Sequence, residues 1–260
     1  MIFIDTHCHL NMPPLGDDPE TVLTRATARG VTRVIVPSYD EPSWLEVTAV
    51  ATLPNVYPAY GLHPWAAHEV PPGGPLTDYQ KRLAAQLSSN FHVAIGEIGL
   101  DTKIEANTIE DQLPVLETQL ALAVDLDLPV ILHCRGAFEE LLTAVSAHGG
   151  NLRGVLHAYS RGPELAERFI AAGLHIAFGG AVTRDRARRV RKTATRLPLD
   201  KIVLETDAPS IGLDGVLPAE TEPGHVRDIA EAVAELRHET LDTIAEVTTA
   251  NAVRLFHLPA

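Results

Sequence analysis

The stretch Val93–Asp101, VAIGEIGLD, decides how this chain is read. Its apolar residues and two glycines describe a buried β-strand, yet Glu97 stands in the middle of it. A buried ionised carboxylate is tolerated only when it is paired, hydrogen-bonded or bound to metal, so the rest of the sequence must supply partners for Glu97.

Working outward, short apolar runs recur along the chain and predict eight strands, starting near Ile2, Arg33, Val56, Val93, Val130, Gly154, His175 and Lys201. Helix punctuation lies between them. Asp18 before Pro19 opens a helix that Gly30 closes, Thr77 with Gln80 reads as a capping box, and Gly162-Pro163 opens a helix that Gly173 ends. EDQLPVLETQLALAVDLDLP carries a helical stripe of Leu113, Leu116, Leu120 and Val124. Strand then helix, repeated eight times, predicts an α/β fold, a single-domain (β/α)8 TIM barrel over residues 1–260. The competing open doubly wound sheet calls for a glycine-rich loop after the first strand, where this chain has HCHLNMPP.

With 45% hydrophobic and 21% charged residues the composition is that of a globular protein. The net charge of −13 argues against a broad electrostatic grip on nucleic acid. One local exception is RDRARRVRK, Arg184–Lys192, with six basic residues in nine; it reads as a solvated helix face or a phosphate-contacting patch. MIFIDTHCHL lacks a basic leader and meets Asp5 and His7 too early for a signal core. With no apolar run near the roughly 20 residues of a membrane span, a cytoplasmic protein without membrane partners is expected. Cys8 and Cys134 read as reduced thiols. Nothing in the chain demands a protein partner, and a monomer fits.

In a parallel barrel the active site lies at the C-terminal ends of the strands, and polar residues collect there. His7 and His9 follow MIFID, His63 follows VYPAYGL, Glu97 lies in the fourth strand, His133 follows VIL, His157 follows GVL and Asp207 ends IVLET. His7 and His9 are two apart, so in extended chain they face one way, as two ligands of one metal do. His7, His9 and Asp207 suit one cation and His133 with His157 a second, with Glu97 bridging the two. Such a pair would hold a bridging hydroxide as nucleophile, with Asp207 as general base. His63 is left for substrate. Arg135 reads as a contact to an anionic substrate or as a surface ion pair. By strand parity, Asp5 and Glu205 are candidates to orient ligand histidines. Zn²⁺ and Mn²⁺ suit this imidazole-rich set better than Mg²⁺.

IDTHCHL, GLHP, AIGEIGLD, LPVILHCR, LETDAP and TTANAVRLF, in this order and spacing, resemble the signature blocks of the TatD family of metal-dependent hydrolases, within the amidohydrolase-like superfamily. The likeness spans essentially the whole chain, and the segments HCHLNMPP and VPSYDEPSW look closest to the YjjV-like branch. The resemblance implies a TIM barrel with a two-metal centre on His7, His9, Glu97, His133, His157 and Asp207. It also implies magnesium-dependent deoxyribonuclease activity, in some members as a 3′ to 5′ exonuclease. The chain departs from the family pattern at HAYSRG, where Arg161 takes a glycine position. It departs again at ETEP (Glu220–Pro223), which replaces Arg-Asn-Glu-Pro, and at Thr102-Lys103, which replaces an aromatic pair. These departures favour the hydrolase over the specific DNase. Expected is a two-metal phosphodiesterase acting on DNA. The alternative is an ester or amide hydrolase such as a D-aminoacyl-tRNA deacylase on the same centre, and an inherited barrel that only binds metal is the third reading.

Overall fold

The computed structural model describes residues 1–70, 76–104 and 108–259. Every expected strand is present: β1 (Phe3–Asp5), β2 (Val31–Pro37), β3 (Val56–Tyr60), β4 (Ala94–Asp101), β5 (Val130–Arg135), β6 (Gly154–Leu156), β7 (Leu174–Phe178) and β8 (Ile202–Leu204). They form one sheet in sequence order, each neighbouring pair parallel. The sheet curls until β8 meets β1. Thr6 N donates to Leu204 O at 3.1 Å, Asp207 N to His7 O at 2.8 Å and His9 N to Ala208 O at 2.8 Å. This is the (β/α)8 barrel, and its closing seam runs directly beneath three of the expected ligands.

The helices are α1 (Pro19–Ala28), α2 (Ser43–Val50), α3 (Leu76–Ser89), α4 (Ile109–Asp125), α5 (Phe138–Ala147), α6 (Pro163–Ala171), α7 (Arg188–Arg196), α8 (Val226–Arg237) and α9 (Leu241–Phe256). Asp18 caps α1 by accepting from Thr21 N. Thr108 and Asp111 form the capping box of α4. The box expected at Thr77 does not form: Leu76 is already helical, so Thr77 lies inside the first turn of α3. Only the second half of Arg184–Lys192 is helical, because α7 begins at Arg188. No described helix is long and apolar enough to cross a membrane.

Strand parity connects the core to the site. Ile4, Ile35, Ala59, Ile131, Val155, Ala177 and Val203 form an apolar cluster with Leu255 and Phe256 of α9. Apart from Leu255, which is 4% exposed, each of these is 3% exposed or less, so each contributes about 1.5–3 kcal/mol by full burial, or less for alanine. Side chains on a strand alternate, so the residue two positions after a member of this cluster looks the same way. Ile131 thereby places His133, Val155 places His157, and Val203 places Glu205 and then Asp207, all toward the C-terminal mouth.

Gly96 and Gly99 are explained by the neighbouring strand. A Cβ at Gly96 would lie 2.7 Å from Ile131 Cβ. At Gly99, with φ +149°, it would lie 2.0 Å from His133 O. Only glycine lets β4 approach β5 this closely and set Glu97 against His133.

Candidate metal centre

Glu97, 3% exposed, lies among five histidines. Its Oε2 is 3.3 Å from His7 Nε2 and 3.6 Å from His9 Nε2. Its Oε1 is 2.8 Å from His157 Nε2, 3.1 Å from His133 Nδ1 and 3.4 Å from His63 Nε2. The two oxygens therefore address two different groups of imidazoles.

On the Oε2 side, His7 Nε2 and His9 Nε2 face each other at 3.3 Å, and Asp207 Oδ1 lies 3.8 and 3.4 Å from them. On the Oε1 side, His133 Nδ1 and His157 Nε2 are 3.2 Å apart. Donors about 2.0–2.1 Å from one tetrahedral cation stand about 3.3 Å from each other, so both sides have the spacing of a metal cradle. Converging imidazole lone pairs repel unless a proton or a cation lies between them. His7, His9 and Asp207 form one group able to hold a metal ion, His63, Glu97 and His133 another, and His7, His157 and Glu205 a third. The donor set fits divalent metal.

His63, expected to serve substrate and not metal, has its Nε2 3.4 Å from Glu97 Oε1 and close to His133. Its Nδ1 accepts from Trp65 N at 3.2 Å, which places the proton of the neutral ring on Nε2 and aims a donor at the centre. Arg135 makes an ion pair, one of the two roles expected of it, with Asp101 as the partner. Its Nε donates to both oxygens of Asp101 at 3.0 and 2.9 Å, while the side chain stays 48% exposed.

Asp101 is the residue that sequence reasoning missed. It is fully buried and accepts from Trp65 Nε1 at 2.6 Å and from Lys103 N at 2.7 Å, and His133 Nε2 lies 3.2 Å from its Oδ2. A proton held on Nε2 leaves Nδ1 of His133 as a lone pair facing Glu97. The available signal was position: Asp101 lies four residues beyond Glu97, at the very end of the same strand.

Of the two parity candidates, Glu205 comes near a ligand ring without hydrogen-bonding it, and Asp5 does not come near one. Glu205 Oε1 lies 3.7 Å from His157 Nδ1 and accepts from Ala158 N. Asp5 instead accepts from His7 N at 3.2 Å, Thr206 N at 2.9 Å and Thr206 Oγ1 at 2.6 Å. It reaches no ligand ring. β1 ends at Asp5 and the chain bends at Thr6, so the strict alternation that the parity argument assumed does not extend to His7.

Burial opposes charge on Glu97 and Asp207, but the surrounding imidazoles outweigh it and hold both carboxyls below their usual range. Burial likewise opposes charge on His157, and Glu97 with Glu205 reverses this, raising the imidazole well above its ordinary value. His9 and His133 are raised in the same way, against burial, by Asp207 and Glu97 in the first case and by Asp101 and Glu97 in the second. In His63 burial prevails and brings the value to about 4. Burial prevails in His7 as well, with His157 beside it, so the tendency to hold a proton is confined to His9, His133 and His157. Asp207 occupies the left-handed region at φ 53°, an uncommon cost of about 1 kcal/mol or more for a residue with a side chain, and the seam bond to His7 O holds it there.

Comparison with known proteins bears on the family and the fold. The family model for TatD-related DNases matches residues 4–257. The uncharacterized metal-dependent hydrolase YjjV of Escherichia coli K12 is 37% identical over 258 residues, covering 99% of this chain and 98% of its own. The crystal structure of that TatD homologue superposes with a TM-score of 0.88 at 36% identity, covering 99% of this chain and 98% of the other. A relative from Erwinia billingiae named 3′-5′ ssDNA/RNA exonuclease TatD is 33% identical over 267 residues, covering 98% of this chain and 99% of its own.

Proposed function

The chain belongs to the TatD-related DNase family, an enzyme family of metal-dependent hydrolases, and from that premise we propose that it is a two-metal phosphodiesterase acting on DNA. The observation that carries the reading is the division of Glu97, with Oε2 toward His7 and His9 and Oε1 toward His133 and His157. His7, His9 and Asp207 would hold one cation, His133 and His157 the other, with Glu97 shared. Zn²⁺ or Mn²⁺ matches the imidazoles, while Mg²⁺ would rely on the two carboxylates.

When bound, divalent cations would supply Lewis acidity at the phosphoryl oxygens and a water made acidic enough to attack at neutral pH. The chain's own groups do the rest. Asp207, kept ionised by its histidine neighbours, accepts the proton of the attacking water at its carboxylate. Glu97 fixes the spacing of the two donor groups. His63 Nε2 and the exposed part of the Arg135 guanidinium lie at the mouth, where an anionic substrate would meet them. A 3′ to 5′ direction of attack follows the named activity of the Erwinia relative.

The experiment is metal-loaded protein assayed on single-stranded and duplex DNA, with aminoacyl-tRNA and simple carboxylic esters in parallel. DNA cleavage that falls about 10³-fold or more in Asp207→Asn is the expected result. Turnover confined to aminoacyl or carboxylic esters would replace this reading with the D-aminoacyl-tRNA deacylase or general esterase.

A further inference from the structure

The loops that continue β5 and β6 beyond His133 and His157, together with α7, border an open cleft of about 700 Å³, a volume typical of ligand sites. Gly136, Phe138, Arg161, Gly162, Arg189 and Lys192 line it. Arg161 is its central group. It is half-buried, its guanidinium carbon sits 4.7 Å from the Phe138 ring centroid, and its side chain makes no hydrogen bond or ion pair among the described residues. A partly buried cation stacked on an aromatic ring with its donors unused is set up to receive an anion.

The acids around it are mostly committed elsewhere. Glu139 accepts from Arg168 at 2.7 and 2.8 Å, and Glu164 accepts from Arg196 at 2.8 Å with Lys192 at 3.9 Å. Glu140 alone has no cationic partner, against Arg161 and Arg189, which have no acidic one, among the described residues. The cleft also receives the first turns of α5 and α6, whose cap positions, Ala137 and Gly162, offer no side-chain hydrogen bond. The first-turn backbone N–H groups of α5 add to the attraction for an anion, whereas α6 opens on Pro163, which has none.

We propose that this cleft is a strand-binding subsite, in which Arg161, assisted by Arg189 and Lys192, takes a backbone phosphate of single-stranded DNA next to the phosphodiester at the metal centre. The placement follows from the barrel: the two loops that build the cleft leave the two adjacent strands that carry His133 and His157. The Arg161 plane also offers a stacking face of the kind that unpaired bases use. The inference rests on the phosphodiesterase reading above. It locates on this chain a cationic contact that the net charge of −13 had spoken against.

The test uses the metal-loaded full chain. Binding of a fluorescein-labelled phosphorothioate strand of about ten nucleotides is measured by anisotropy across a salt series, and cleavage is compared between a DNA strand of that length and a dinucleotide. Arg161→Gln should weaken strand binding about tenfold and reduce the logarithmic salt slope by about 0.7, the share of one phosphate contact on a single strand. Arg161→Lys should restore the slope, and Lys81→Gln, a remote charge control on α3, should behave as wild type. The loss of kcat/KM in Arg161→Gln should be at least about fivefold greater on the strand than on the dinucleotide, with most of it in KM. Equal losses on both substrates, or an unchanged salt slope, would overturn the subsite while leaving the phosphodiesterase intact. If wild type cleaves no phosphodiester, the reading of the centre fails; strand binding that still drops in Arg161→Gln then retains the subsite, and binding that does not drop removes it too.

Discussion

Asp101 Oδ2 stands 3.2 Å from His133 Nε2, on the opposite edge of the ring from the Glu97 oxygen that Nδ1 faces at 3.1 Å. One buried carboxylate thereby fixes which nitrogen of His133 carries the proton, and so which one is free to bind metal.

Asp101→Asn keeps the volume and loses the charge. Metal affinity is expected to fall about 10- to 100-fold, the usual cost of disturbing the partner of a ligand histidine. Calorimetric titration of the metal-free protein would show it. An unchanged affinity would mean that Asp101 serves only to anchor Arg135 and Trp65.

Glu97→Gln removes the anion common to both donor groups. The variant should retain little metal after dialysis, and its thermal midpoint should lose the increase that added metal gives the wild type. Full metal content in this variant would be incompatible with a bridging Glu97.

Metal and protons compete for the same imidazoles. His9, His133 and His157 hold their protons to higher pH than an ordinary histidine, because carboxylates outweigh burial, while Glu97 and Asp207 are ionised well below neutrality. Metal affinity should therefore rise with pH, by about tenfold per unit for each proton displaced, until these histidines deprotonate unaided. Titrations at about pH 6, 7 and 8 measure the slope, and a flat profile would contradict the donor set.

His175, on β7 and away from the centre, supplies a separate test of pH and stability. Burial, with Lys201 and Arg254 nearby, lowers it from 6.5 to about 4. A lowered histidine contributes stability that is whole above 6.5 and is lost as pH falls toward 4, since the folded state then resists a proton that the unfolded chain accepts. Allowing for the partial exposure of the ring, the loss is about 2 kcal/mol. Urea unfolding at both ends of this range should show His175→Gln losing less stability than wild type. An equal loss would assign the pH dependence to other groups.

Much of the site was legible because barrel geometry turns sequence position into spatial position. A ligand at the end of a strand must point to the mouth, so His133, His157 and Asp207 could be placed from VIL, GVL and IVLET without coordinates. Parity failed where the strand stops: β1 ends at Asp5 and the chain bends at Thr6, so Asp5 bonds Thr206 and not a ligand ring. It was also silent on polar residues in helices. Gln119 of α4 reads as an ordinary helix residue, yet it is buried and bonds Leu62 N at 2.8 Å and Leu62 O at 3.2 Å, which holds the chain entering His63.

By itself the sequence determined the barrel, since eight apolar runs with helical spacers leave few other ways to bury both faces of a parallel sheet. It also singled out His7, His9, Glu97, His133, His157 and Asp207 as candidate ligands, because strand-end residues reach the mouth together. Tertiary structure decided how they are shared. The division of Glu97 between two groups of imidazoles, the hold of Asp101 on His133, the approach of His63 and the unpaired state of Arg161 all depend on contacts between separate strands and loops. Their distances of about 3–4 Å are fixed by strand stagger and barrel closure, and no local pattern of residues encodes those.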